Sequence, residues 1–146
     1  MPATSQFLLY LKALIWSVFV SYTRSTVMAI SHCLREGEVK EGFPEFKDTH
    51  LGDGIKYILN ALPREQDRLC IAKALEHVKE SEPSLVYQNM VIEVGHYVTA
   101  KEGFEDLAEN TPGVIYHLKD YKIYVLFLLP DNTLVEKKVY PFQIMP

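Results

Sequence analysis

The stretch from Phe7 to Tyr22, FLLYLKALIWSVFVSY, decides how this chain is read, because only Lys12 and two serines interrupt its apolar run. It can lie in lipid, in a protein core or against a partner, and each placement makes a different protein. A membrane span needs about 20 predominantly apolar residues, and this run stops short of that. Extending it through Val27-Met28-Ala29-Ile30 brings in Arg24. Lys12 and Arg24 then bracket roughly 16 Å of helix, against a hydrocarbon core of about 30 Å. A signal peptide fits less well, since Met1 to Gln6 carries no basic side chain and Lys12 sits inside the apolar run.

The third reading is a helix buried in a core or an oligomer interface. A helix here is expected to take Ser5 as its N-cap and to end at Gly37, a natural left-handed residue after Arg35. Ala13, Ser17 and Ser21 recur at i, i+4 and i+8, a ridge of small residues along which another backbone can approach closely. Lys12 projects roughly opposite that ridge. The contact residues expected on this basis are Ala13, Trp16, Ser17, Val20 and Ser21, facing a protein partner or a second copy of the chain.

As an anchor, the same helix requires Lys12 to snorkel to the interface. Arg24 and Arg35 would then place the remaining domain on the cytoplasmic side of the membrane. As an interface helix, it belongs to a soluble cytoplasmic protein.

The remainder is globular in composition, with 48% hydrophobic and 23% charged residues. A net charge of −4 and a pI near 5.7 remove the electrostatic reason for binding nucleic acid. Cys33 and Cys70 have no motif spacing and read as free thiols. Residues 1–36 form the N-terminal segment, 37–47 a charged linker with glycines and a proline, and 48–146 an α+β globular domain.

Within that domain, Ile55, Ile58, Leu59 and Leu62 follow helical spacing after Asp53 as N-cap. Pro63 opens a second helix, with Ile71, Ala72, Leu75 and Val78 inside and Arg64, Glu65, Asp67, Lys73, Glu76 and Lys79 in water. Residues 85–98 fit either a helix or a strand, and their length favours a helix. Thr99 to Glu102 reads as a capping box starting a short helix through Phe104, Leu107 and Ala108. Residues 114–118, 121–129 and 134–142 are three strands, the last two joined by a turn at Pro130-Asp131-Asn132-Thr133. The expected fold is therefore α+β: an N-terminal apolar helix, then a helical layer packed on a C-terminal three-stranded antiparallel sheet.

No catalytic, cofactor or metal motif stands out. His50 and Asp53 have i, i+3 spacing suited to one ion or to acid–base work, beside the plainer reading of a cap and a glycine turn. Cys70 and His77, at i, i+7, are too far apart along a helix for proton transfer, and His96 and His117 read as structural histidines. Tyr116, Tyr121, Tyr124 and Tyr140 fall on the expected sheet and would suit a tyrosine-lined face. Residues Phe104 to Tyr116 resemble the opening of PAS sensor domains, but too little chain follows for such a domain and no family is assigned.

Three functions are expected from this pattern. The first is a non-catalytic accessory or adaptor protein tethered to a membrane or membrane assembly through the N-terminal helix. The second is a soluble ligand-binding or sensory module that dimerises through that helix. The third is a small enzyme with a site near His50 and Asp53.

Overall fold

The computed structural model describes residues 3–39, 49–101, 104 and 106–146. The N-terminal segment is two helices rather than the single one expected: α1 (Ala3–Val20) and α2 (Arg24–Glu36). The break has a local cause. The N–H groups of Ser21 and Tyr22 both donate to the Ser17 carbonyl, at 2.9 and 3.0 Å, which closes α1. Thr23 then caps α2, its side chain accepting from the Thr26 N–H. Ser5 lies inside α1, not at its cap. Gly37 ends α2 as expected, at φ 82° with its N–H on the Cys33 carbonyl. Most of the expected linker, from residue 40 to 47, lies outside the described residues.

Helices α3 (Thr49–Ala61) and α4 (Glu65–Val78) follow, with Asp53 inside α3 rather than capping it. Helix α4 begins two residues beyond the expected Pro63, and its buried stripe holds the expected Ile71, Ala72, Leu75 and Val78. Asp67, expected in water, is buried there too.

Residues 85–98 are not a helix. They form β1 (Ser84–Tyr87) and β2 (Met90–Glu93), an antiparallel hairpin joined by Gln88 and Asn89 at φ 47° and 67°. A two-residue loop of this kind needs positive φ at both positions. The cross-strand pair Leu85 and Ile92 is buried, while its neighbours Val86 and Val91 are exposed, which is strand alternation.

The main sheet has five strands, not three, in the order β6-β5-β4-β3-β7 and antiparallel throughout. Strands β4 (Pro112–Lys119), β5 (Lys122–Leu128) and β6 (Leu134–Val139) are the three expected from sequence. The additions are β3 (Tyr97–Ala100), where a capping box was expected, and β7 (Ile144–Met145), which follows a 3₁₀ turn at Pro141–Gln143. Glu102 of the expected capping box lies outside the described residues. The β5–β6 turn is as expected, with Asn132 at φ 66°.

The sheet is covered on both faces, which explains the nearly continuous apolar runs of β4 and β5. One face carries Val114, Tyr116, Leu126 and Leu128, packed with α1–α4. The other carries Ile115, Leu118, Ile123, Val125 and Phe127, packed with Leu85 and Ile92 of the hairpin and with Phe104 and Leu107. A register shift in β4 between Ile115 and His117 lets Tyr116 and Leu118 reach opposite faces. Helix α4 ties the helical layer together at its ends. Lys79 Nζ donates to the Val18 carbonyl at 3.1 Å, and Arg68 donates to the Leu34 carbonyl at 3.0 Å, so α4 closes the C-termini of both α1 and α2. Arg35 and Glu76 add an ion pair at 2.9 Å.

The bulge also buries His117, whose Nδ1–H donates to the His77 carbonyl at 2.8 Å. Burial pushes the His117 imidazole below its usual pKa; the His77 hydrogen bond opposes this, the His77 ring adds to it, Glu80 opposes it and Lys119 adds to it. The fold therefore favours the neutral ring. As pH falls below about 6.5, the unfolded chain takes up this proton first and stability drops. Urea midpoints should decline between pH 7.5 and 5.5, and less steeply in His117→Gln; an identical decline in the variant would refute the assignment.

Candidate functional site

Helix α1 has two apolar faces. Phe7, Leu8, Leu11, Leu14, Ile15 and Val18 point into the core, with Leu11, Ile15 and Val18 at 0% exposure. On the opposite side Leu9, Trp16 and Val20 remain 53%, 46% and 50% exposed, with Ala13 exposed between them. Positions 9, 13, 16 and 20 follow i, i+4, i+7 and i+11, so they make one stripe along the helix.

Hollows flank the stripe on both sides. Towards α3, Tyr10, Ala13, Ser17, Leu51 and Gly54 line one of about 130 Å³. Tyr10 stands on Tyr57 at 4.7 Å between ring centres, and a side chain at Gly54 would meet the Tyr10 ring at 3.4 Å. Towards the sheet, Leu9, Lys12, Ala13, Trp16, Gly95 and His96 line a hollow of about 200 Å³. Gly95 serves two needs there. Its φ of +85° favours glycine, and an added Cβ would stand 3.3 Å from Trp16 Cε3. The indole therefore lies close against the chain between β2 and β3.

The electrostatics of the face are simple. Lys12 is the one charged residue of α1, and its Nζ sits 5.4 Å from the centre of the Tyr97 ring, a cation–π contact. Burial raises the Tyr97 phenol above its usual pKa, which keeps it neutral beneath that cation. Glu93 and His96 pair at 2.9 Å on the rim. His96 is thus an exposed rim residue, not the structural histidine expected from sequence.

All five expected contact residues belong to this region. Ala13, Trp16, Val20 and Ser21 are exposed and Ser17 is half-buried beside α3. Among the described residues, α3 flanks the small-residue ridge at Ser17, while Ala13 and Ser21 stay exposed; the core contacts come mainly from the opposite side of α1. Leu9 was missed, although its spacing to Ala13, Trp16 and Val20 is visible in sequence. Gly95 and Tyr97 were not legible, because only the tertiary fold brings β3 to α1.

The other candidates do not assemble into a site. The side chain of His50 lies outside the described residues, and Asp53 is exposed on α3. Among the described residues, no group of three or more His, Cys, Asp or Glu side chains is placed to hold a metal ion. Neither Cys33 nor Cys70 is in a disulfide. Burial raises the Cys70 thiol, with Asp67 and Glu136 adding to the shift, which disfavours the nucleophilic thiolate. The tyrosines make no open face: Tyr116 and the half-buried Tyr124 pack ring to ring, 6.1 Å between centres, on the helix-covered side of the sheet, and Tyr121 and Tyr140 are exposed. A groove of about 470 Å³ is lined by Phe7, Tyr57, Asn60, Leu62, Leu128 and Asn132, without a charged side chain to orient a ligand. No helix among the described residues is long and apolar enough to cross a membrane. No protein-family model, curated protein or solved structure matches the chain.

Proposed function

We propose that this chain is a non-catalytic accessory or adaptor protein that works by docking to a protein through the outer face of α1. One observation carries the reading: α1 devotes one face to the core and keeps an apolar stripe of Leu9, Ala13, Trp16 and Val20 open on the other. Contiguous exposed apolar surface mostly marks interaction sites, and tryptophan is enriched among the residues that dominate binding. The small residues Ala13 and Ser17 support the reading, since they let a partner backbone come close. Because the apolar side chains of α1 on the inner face are committed to the core, the proposal rests attachment on a contact face and not on a span.

The test is a photo-crosslinking amino acid placed at Val20 in the full chain, with Glu109, exposed in a loop far along the sequence, as control position. Adducts are expected at Val20 and not at Glu109, and Trp16→Ala should weaken them. Equal labelling at the two positions would contradict the proposal.

A further inference from the structure

We propose that the occupant of this face is a second copy of the same chain, its α1 lying antiparallel to the first; this rests on the docking role of α1 and names its partner. The stripe is self-complementary under a two-fold axis passing between the levels of Ala13 and Trp16. That axis sets the large Trp16 of each copy against the small Ala13 of the other, where the hollow of about 200 Å³ lined by Leu9, Ala13 and Gly95 receives the edge of the indole. The same operation sets Leu9 against Val20, so both ends of the stripe meet an apolar partner. An interface between identical copies has to match itself in this way.

Charge is compatible with the same pairing. Lys12, the one charged residue of α1, lies at the level of Ser17 of the second copy, so the two Lys12 side chains share a flank but stand about 7.5 Å apart along the axis. Lys12 is also already held over Tyr97, and Glu93 and His96 on the rim pair with each other. A parallel pairing would instead bring the two Lys12 side chains to the same level on opposite flanks, so charge does not separate the two arrangements. It would also set tryptophan against tryptophan and alanine against alanine, leaving the hollows empty.

The area places the pairing among weak contacts. An 18-residue helix is about 27 Å long. With its flanking walls it offers roughly 500 Å² per copy, below the standard 800 Å² or so of a stable complex. The pairing is therefore expected to be a weak, reversible dimer, with a dissociation constant in the micromolar range, roughly 1–100 μM.

A charge-swap experiment on the full chain, followed by sedimentation equilibrium, tests it. Leu9 and Val20 are both exposed, so Leu9→Lys and Val20→Glu should leave the thermal melt near that of wild type. Each single substitution should weaken self-association by about tenfold or more. The double variant Leu9→Lys/Val20→Glu should recover it to within about threefold, because each new base then faces a new acid of the other copy. Dimerisation of wild type without this recovery would overturn the antiparallel arrangement. A wild-type chain that stays monomeric at about 100 μM would overturn self-pairing altogether. In that case Val20-specific crosslinks to a different protein would leave the docking role standing, and their absence would remove both.

Discussion

A chain shortened to begin at Glu41 should fail to fold. Helix α1 supplies Phe7, Leu8, Leu11, Leu14, Ile15 and Val18 to the core, and α2 supplies Val27, Ile30, Cys33 and Leu34, all buried. Fully burying a large aliphatic or aromatic side chain contributes about 1.5–3 kcal/mol. The six from α1 alone, about 9–18 kcal/mol, are then comparable with the 5–15 kcal/mol or so that separates most folded domains from their unfolded chains. Deletion would also leave Ile55, Ile58, Ile71 and Leu75 facing water and would remove the carbonyls that Lys79 and Arg68 cap. The shortened chain is expected to lack near-ultraviolet dichroism and a cooperative melt, and to aggregate. A soluble, cooperatively melting product would show that the first two helices are an appendage, as an anchor would be.

Asp67→Ala should cost about 2–3 kcal/mol, the range for a buried partner lost from a hydrogen bond involving a charged group. Asp67 is 3% exposed, and its Oδ1 accepts the Leu134 N–H at 3.2 Å, fastening the first turn of α4 to the start of β6. Arg64 pairs with its other oxygen at 3.1 Å from an exposed position. Truncation strands the Leu134 amide in a buried setting. Asp67→Asn keeps the acceptor and gives up only the pair with a solvated guanidinium, so its cost should stay near 1 kcal/mol or less. Denaturant unfolding of the two variants beside wild type checks this; equal losses would show that the ion pair and not the amide bond carries the effect.

Much of this fold was legible wherever one signal acted alone. The stripe of α4, the glycine stop at Gly37 and the hairpin closed at Asn132 each followed from a single local rule, and the structure holds all three. Local reading failed where two structures shared one pattern. Residues 85–98 have apolar spacing that suits both periods, and a Gln88-Asn89 turn at positive φ is a weak signal beside an asparagine–glycine pair. Thr99 and Glu102 satisfy a capping rule, but pairing of β3 with β4 and β7 outweighs it. Asp67 looked solvated because nothing local shows that β6 returns an unpaired amide to α4.

The exposed face of α1 was half legible. Ala13, Trp16, Ser17, Val20 and Ser21 stand out by spacing. Which face of α1 the core would take depends on α3, α4 and the sheet, and no local rule states it.

Trp16, the single tryptophan of the chain, gives the most direct measurement of the central claim that the outer face of α1 is a docking surface for a second copy of the chain. Its emission and acrylamide quenching should be followed while the full chain is diluted from about 100 to about 1 μM, across the expected dissociation constant. The account predicts a red shift and stronger quenching on dilution, both absent in Val20→Glu, which should show the exposed signal throughout. A spectrum independent of concentration, and identical in the two proteins, would contradict it.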